Sequence, residues 1–475
     1  MYIEQLYTGC LAEAAYYIES QGEAAVIDPL RETAPYLELA KKRGATIKYI
    51  FETHFHADFV SGHLDLAKAT GATIVFGPNA QPNYSAYIAE DNEVFQLGEI
   101  QLKVLHTPGH TLESSCYLLR DASGRNYAVF TGDTLFNGDV GRPDLAVKSD
   151  LTAEDLAELL YHSIHHKLKP LADEVILYPA HGAGSQCGKN MNQETFSTIG
   201  AQKQFNYALQ LTGKEKFVAA VLDGQEDPPA YFPENARINQ SGYENIDAVM
   251  ERNTQPLSVA AFEQAVAEGA TILDTRQPDV FEQGFVPGSL NIGLNGQYAV
   301  WVGTLLKIDQ PLVLVTDPGK EQEAIMRLAR VGFEHVKGYL EGGITRWENA
   351  GKRVERVASV EGREVADLRE KGYQVLDVRR NTEAETEQVQ DSLNIPLKDL
   401  SATLPRLDPS QSYLVHCAGG YRSMIASSIL KQHGINNFKN IHGGFQAMKE
   451  ADNLPLVTGQ CPTQRREEKL ARLKV

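Results

Sequence analysis

Apolar residues along the first two hundred positions fall in short runs broken by turn residues, a pattern that predicts strands more than long amphipathic helices. Runs at 49–53, 72–76, 100–106, 127–131 and 175–178 read as strands. A helix is predicted after Thr152, whose hydroxyl suits an N-cap, running through Asp155, Leu156, Leu159 and Leu160. Residues 225–246 are rich in Pro, Asn, Gly and acids, including Pro228-Pro229 and Pro233-Glu234-Asn235. That composition reads as the connection out of a first domain.

The second half repeats itself. Leu273-Asp274-Thr275-Arg276 recurs as Leu376-Asp377-Val378-Arg379, and Ser289-Leu290-Asn291-Ile292 recurs as Ser392-Leu393-Asn394-Ile395, both at an offset of 103 residues. Gly342-Gly343-Ile344 is echoed by Gly443-Gly444-Phe445. In each copy a strand-like run precedes a helix-like run: 311–316 then 323–331, and 412–416 then 423–433. Strand–helix alternation at this scale implies a parallel α/β sheet. The expected organisation is a first domain over 1–240, a linker over 241–255, α/β domains over 256–355 and 356–460, and a charged tail over 461–475.

Composition narrows the function classes. A chain of 475 residues leaves room for two to four domains, and 42% hydrophobic with 23% charged residues is ordinary for globular cores. A formal net charge of -17 repels phosphate backbones and anionic headgroups, so nucleic acid and membrane surfaces are poor partners. No apolar stretch is long enough to span a bilayer, and the start Met1-Tyr2-Ile3-Glu4 lacks the basic and apolar regions of a signal peptide. Five widely spaced cysteines argue for a reducing, cytoplasmic setting and leave at least one thiol free.

The strongest local signal is Thr53-His54-Phe55-His56-Ala57-Asp58 just after a strand-like run. His110 follows in Thr107-Pro108-Gly109-His110-Thr111, Asp133 in Thr131-Gly132-Asp133-Thr134, and His181 in Tyr178-Pro179-Ala180-His181-Gly182. Each sits at a strand end among turn residues, where side chains from several strands can converge on one ion. Imidazole and carboxylate suit zinc and non-haem iron. Any one of these histidines alone reads equally as a packed residue; the joint pattern carries the argument. His162, His165 and His166 lie in a helix without matched partners and read as surface residues. His63 either caps a helix or sits near the site.

These residues resemble the αββα metallo-β-lactamase fold over residues 1–240, and within it the persulfide dioxygenases and their fusions to rhodanese-like domains. The resemblance implies that His54, His110 and Asp133 hold one Fe(II) per chain, with zinc as a substitute, leaving positions open for substrate and O₂. One departure is informative. Phe59 stands where the fold's common motif has a histidine directly after the aspartate, which removes a ligand from a second metal position and disfavours a dinuclear zinc hydrolase of the glyoxalase II type. His56, Asp58 and His181 then become groups that orient the ligands or shuttle protons. The resemblance also implies that Arg142 and Asp144 help hold an anionic thiol substrate, with a turn-stabilising arginine as the alternative. Cys187, in a Gly-rich loop, either stands near the metal to handle sulfur or packs the loop. Cys10 and Cys116 read as core, and Cys461 is unassigned.

The second strong signal is His416-Cys417-Ala418-Gly419-Gly420-Tyr421-Arg422-Ser423, between an apolar strand and a helix. The glycines let backbone N–H groups of the Gly419–Gly420–Tyr421 loop turn toward the sulfur. The helix start at Ser423 and the Arg422 guanidinium favour a thiolate or a bound anion. Four residues between Cys417 and Arg422 fit a single sulfur and resemble a rhodanese, whereas related phosphatases use five. In the first copy Asp317 aligns with Cys417 and the loop is two residues shorter, so that copy is expected to be inactive. Glu387-Gln388-Val389-Gln390-Asp391 stands where rhodanese-like domains usually carry Gly-His-Ile-x-Gly, so a different local loop shape is expected.

The function these expectations define is oxidation of a low-molecular-weight thiol persulfide by O₂ to sulfite and thiol, coupled to transfer of sulfur through Cys417 that yields thiosulfate. The alternative is a zinc thioester hydrolase with rhodanese modules as regulators. A homodimer or homotetramer is the expected assembly.

Overall fold

The computed structural model describes residues 1–145, 151–189, 191–225 and 227–459. Cys461 and the tail lie outside these. The described residues form two compact units: Met1–Val249 together with Ala329–Gly332, and the remainder from Met250 onward.

In the first unit two six-stranded sheets stack face to face. One runs Tyr2–Thr8, Glu13–Ser20, Glu23–Ile27, Thr46–Phe51, Thr73–Phe76 and Tyr87–Ile88 in chain order. The other runs Val94–Leu97, Ile100–His106, Ser115–Arg120, Asn126–Gly132, Ile176–Pro179 and Ser197–Thr198. Alternation within a strand explains the layering. Ala14, Tyr16 and Ile18 enter a core shared with Phe51, Tyr117, Leu119 and Phe130, while Ala15 and Tyr17 face a second core under helices Ala34–Arg43 and His63–Thr70. Glu13–Ser20 is therefore buried on both faces, and it carries no polar–apolar alternation to betray it.

The predicted helix is Ala153–His162. Thr152 accepts from Asp155 N while the Asp155 carboxylate accepts from Thr152 N, a reciprocal cap. The stretch 225–246, read as a connection, instead holds the helix Phe232–Ser241. Pro233 lies in its first turn, where a missing N–H costs nothing, so the proline marks a helix start and not a break. The boundary between units falls after Val249, within the stretch assigned to a linker and inside the helix Ile246–Asn253.

The second unit contains two five-stranded parallel sheets of one topology. Their orders are Pro256–Leu257, Val336–Leu340, Leu312–Val315, Thr271–Asp274, Leu290–Asn291 and Ser359–Val360, Phe438–Ile441, Tyr413–His416, Gln374–Asp377, Leu393–Asn394. The repeated motifs make the same bonds twice. Arg276 pairs with Asp274 as Arg379 pairs with Asp377. The Asn291 amide donates to Asp274 O and Arg276 O, as the Asn394 amide donates to Asp377 O and Arg379 O. Glu387–Val389 forms a short strand with Leu456–Thr458, and Asp391 takes a left-handed turn (φ 62°) where the family pattern has glycine.

The register corrects one alignment. Asp274 faces Val315 as Asp377 faces His416, so Thr316, and not Asp317, occupies the place of Cys417. A Cβ on Gly343 would meet Thr316 O, as one on Gly444 would meet Cys417 O. Gly319 (φ 82°) then matches Gly420 (φ 105°), so the loops are of equal length, and the two-residue difference lies upstream, where the first copy is the longer. The conclusion that this copy lacks a thiol survives. Glu321 now falls where the active loop has Arg422, which reverses the charge at that position.

Candidate metal centre and sulfur-transfer loop

His54 follows the strand Thr46–Phe51, Asp133 follows Asn126–Gly132, His181 follows Ile176–Pro179, and His110 lies in the turn after Ile100–His106. The structure brings His54, His110 and Asp133 together, with candidate ligand atoms within 4.8 Å of one another. Hydrogen bonds set the tautomers. The Thr53 hydroxyl donates to Asp28 Oδ2 (2.8 Å), so its oxygen accepts from His54 Nδ1 (3.0 Å), leaving His54 Nε2 with its lone pair. His110 Nδ1 donates to Arg142 O (2.9 Å), and its Nε2 stands 3.5 Å from Asp133 Oδ2. Burial and the neighbouring histidines hold the His54 imidazole well below its usual range, hence neutral and able to ligate.

Neither Asp133 oxygen finds a hydrogen-bond donor, although the residue is 2% exposed. A buried carboxylate without donors, beside two imidazole lone pairs, fits a cation and little else. The donor set suits iron(II) or zinc.

His56 turns away. Its Nε2 lies 3.0 Å from Asp28 Oδ1 and 3.8 Å from Glu52 Oε2. Burial opposes its charge, yet Asp28, Glu52 and Asp58 raise its pKa to about 10. Phe59 is fully buried with its ring 4.3 Å from that of His56. The hydrogen bonds that hold the His54 and His110 rings thus come from Thr53, itself held by Asp28, and from the Arg142 carbonyl; His56, Asp58 and His181, which the sequence offers as groups that orient ligands or shuttle protons, do not supply them. Asp58 and His181 instead gather with Cys187 in a second set of candidate ligand atoms. Burial, then Asp58 and Asp133, push the Cys187 thiol well above its ordinary range, and burial raises Asp58.

Arg142 pairs through Nε and Nη2 with both Asp144 oxygens, at 2.8 and 2.6 Å. The fork expected to meet a substrate anion is therefore taken by Asp144, because a two-residue spacing lets the pair close on itself. His63 is buried 3.7 Å from Glu52 Oε1, and burial lowers its pKa to about 3. His165 packs on Tyr161, and His162 and His166 are exposed. Cys116 is core, whereas Cys10 is only partly buried and lies in a turn.

Three contributors escape sequence reasoning. Asp28 bonds Thr53 N and Oγ1 as well as His56. Glu13 is buried without partners, its pKa driven well above the carboxylate range by burial. Asn239, on the helix Phe232–Ser241, donates to His56 O and Phe59 O (2.7 Å each) and accepts from Ser61 N (2.9 Å). It clamps the loop that carries His54 to Asp58. Asn239→Ala strands three buried groups at roughly 1–3 kcal/mol each. The expected results are a lower melting temperature and substoichiometric metal in elemental analysis.

In the cysteine loop, Cys417 is buried and accepts from Gly420 N (3.1 Å). The helix Tyr421–Gln432 begins at once, and Ser423 Oγ lies 3.8 Å from the sulfur, fixed by Gly420 O and Asn440 Oδ1. The Arg422 fork, expected to serve the sulfur, pairs with Glu383 at 2.6 and 2.8 Å. Tyr421 reaches into the first copy, where its hydroxyl donates to Gly293 O (2.7 Å). The same helix receives Asn291 N at Ser428 Oγ and sends Gln432 to Gly288 O. A Cβ on Gly296 would stand 2.4 Å from the Tyr421 ring. Gly296→Ala should therefore displace the Tyr421 ring and the loop beside it, which a lower melting temperature with unchanged metal content would register.

A family model described as the metallo-β-lactamase superfamily matches residues 8–181, and one described as a rhodanese-like domain matches 258–350 and 362–451. The chain belongs to the metallo-β-lactamase superfamily, with two rhodanese-like domains following that fold. Two groups of relatives define its neighbourhood. It is 31% identical over 195 residues to persulfide dioxygenase ETHE1, mitochondrial, of Homo sapiens, covering 41% of this chain and 69% of that protein. It is 30% identical over 227 residues to the probable hydroxyacylglutathione hydrolase glo2 of Schizosaccharomyces pombe, covering 43% of this chain and 83% of the relative. A crystal structure of a metallo-beta-lactamase from Staphylococcus aureus subsp. aureus COL aligns with TM-score 0.64 and 31% identity, over 72% of this chain and 98% of that one. Dioxygenase and hydrolase relatives stand equally near, so likeness alone does not choose the reaction.

Proposed function

We propose that the first unit oxidises a thiol persulfide with O₂, and that the last domain moves sulfane sulfur through Cys417. The overall change is RSSH + O₂ + H₂O giving RSH and sulfite with two protons. A second persulfide then passes its outer sulfur through Cys417 to sulfite, giving thiosulfate and thiol. The observation that carries this reading is the set of two imidazoles and one carboxylate at His54, His110 and Asp133, from which His56 is withdrawn by Asp28. These three residues would hold an iron(II) ion, which would supply the redox chemistry that activates O₂.

The protein's own work is positional. Thr53 and the Arg142 carbonyl fix the two rings. Phe59 packs on His56, whose ring pairs with Asp28. In the cysteine loop Gly420 N–H holds the Cys417 sulfur, and the adjacent helix start and Arg422 favour its anion.

The hydrolase relatives support a second reading, a zinc thioester hydrolase. One experiment separates the two. Iron-loaded protein prepared without air is given persulfide and, separately, an S-acyl glutathione. Persulfide-dependent O₂ consumption with sulfite release is expected. Thioester hydrolysis without O₂ uptake counts against the oxidation.

A further inference from the structure

A line of hydrogen bonds joins the copy without a thiol to the loop that has one. Glu282, on the helix Pro278–Gln283 of the first copy, is 6% exposed. Its carbonyl accepts from Val357 N (3.1 Å), on the segment that leads into the second copy. Its carboxylate reaches the second sheet: Oε2 accepts from the Ser359 hydroxyl, and Oε1 stands 3.3 Å from His442 Nε2. Ser359 and Asn440 face each other on neighbouring parallel strands, and the Asn440 amide N–H donates to Ser359 Oγ (3.3 Å). Asn440 Oδ1 accepts from the Ser423 hydroxyl (2.8 Å), and Ser423 Oγ accepts from the Cys417 thiol (3.8 Å). A buried carboxylate in one copy is thus linked to the sulfur of the other.

An ionised carboxylate only accepts, and that fixes the sense of every link. Ser359 spends its proton on Glu282 and turns a lone pair to Asn440. Asn440 must then offer its N–H to Ser359 and its oxygen to Ser423. The orientation of this amide is set from the first copy and not from the loop. Ser423 has one hydroxyl proton, for which Asn440 Oδ1 and Gly420 O (3.0 Å) are the near acceptors, so it turns lone pairs toward the sulfur. Gly420 N–H favours an anionic sulfur, whereas Ser423 held in this sense favours S–H. The other charged groups around the loop are paired: Arg422 with Glu383, Arg379 with Asp377, and Lys449 with Glu387, while His416 Nε2 lies 3.8 Å from Asp377.

We propose that Glu282 is a positioning residue for Cys417: through Ser359 and Asn440 it keeps the Ser423 proton off the sulfur and holds the resting loop as the thiol. The copy that lacks a thiol thereby restrains the copy that has one. If the Asn440 amide turns over, its N–H faces Ser423, the Ser423 proton is free for the sulfur, and a thiolate gains a second donor beside Gly420 N–H. The proposal rests on the reading of Cys417 as the sulfur carrier, and it concerns the resting thiol and not the transfer itself.

The test is alkylation of Cys417 by iodoacetamide in the full-length chain, followed at its own peptide by mass spectrometry as a function of pH, since the thiolate is the form that reacts. Glu282→Gln removes the obligate acceptor and lets the Asn440 amide turn, so the midpoint of the profile should move to lower pH by about 0.5–1 unit. Ser359→Ala breaks the line but leaves the carboxylate in place, and it should move the midpoint the same way. Ser359→Thr keeps the hydroxyl and should return the parent profile. Glu282→Gln combined with Ser359→Ala should shift no further than the larger single change, as expected for links of one line. An unmoved midpoint in Glu282→Gln overturns the proposal. A shift in Glu282→Gln with none in Ser359→Ala also overturns it, because the charge alone would then be acting. Should Glu282→Gln fail to fold, the contrast between Ser359→Ala and Ser359→Thr decides. Alkylation needs no sulfur transfer, so failure of transfer in its own assay leaves this result readable, and the reverse holds.

Discussion

Asp133→Asn protein should fold normally, contain almost no iron, and show no persulfide-dependent O₂ uptake. Asp133 stands between His110 and His181, with both oxygens lacking donors. In metal-free protein that carboxylate is a buried charge beside the second carboxylate of Asp58, an arrangement that destabilises the fold. An amide of the same shape relieves the repulsion, so the metal-free variant should melt at or above the metal-free parent. Affinity for iron should fall by more than the roughly 10–100-fold that loss of a partner outside the ligand shell costs, because a charged ligand is removed directly. Elemental analysis, melting curves and an oxygen electrode check the three parts. A variant that keeps stoichiometric iron and normal uptake would remove Asp133 from the centre and end the proposed reaction.

How much of this was legible in the sequence depends on what kind of signal each part leaves. His54, His110, Asp133 and Cys417 lie in distinctive local contexts at strand ends, because a rigid strand followed by a tight turn is what aims a side chain. The doubled sheets were legible because the Leu-Asp-x-Arg and Ser-Leu-Asn-Ile motifs each make the same bonds in both copies. Strands buried on both faces, such as Glu13–Ser20, lose the period of two that would reveal them. Asn239 and Asp28 act through backbone contacts 183 and 25 residues away, and no local pattern marks such a partner. The Arg142–Asp144 and Arg422–Glu383 pairs show a different limit: the sequence places a guanidinium near a site, but only geometry shows which carboxylate it meets. The alignment of Asp317 with Cys417 failed because the two-residue difference between the copies was put in the loop. Strand register, which sequence does not state, puts it upstream.

Cys417→Ser should abolish sulfur transfer while leaving O₂ uptake close to the parent value, so that sulfite accumulates in place of thiosulfate. The hydroxyl is smaller than the thiol and fits the same buried cradle, where Gly420 N–H can still donate to it. What it cannot do is form a persulfide, since transfer requires a sulfur–sulfur bond that breaks again on attack by sulfite. The expected loss is at least about 10³-fold, as for removal of a nucleophile. The first copy offers a sharper form of the test. Placing a cysteine at Thr316 in the Cys417→Ser background gives that loop a thiol at the matching register. It should not restore transfer. Pro318 supplies no N–H, and Asp317 and Glu321 bring negative charge where the active loop has Ala418 and Arg422. Recovered transfer would mean that a thiol at the strand end suffices, and that the Gly-Gly-Tyr-Arg cradle is not what makes Cys417 reactive.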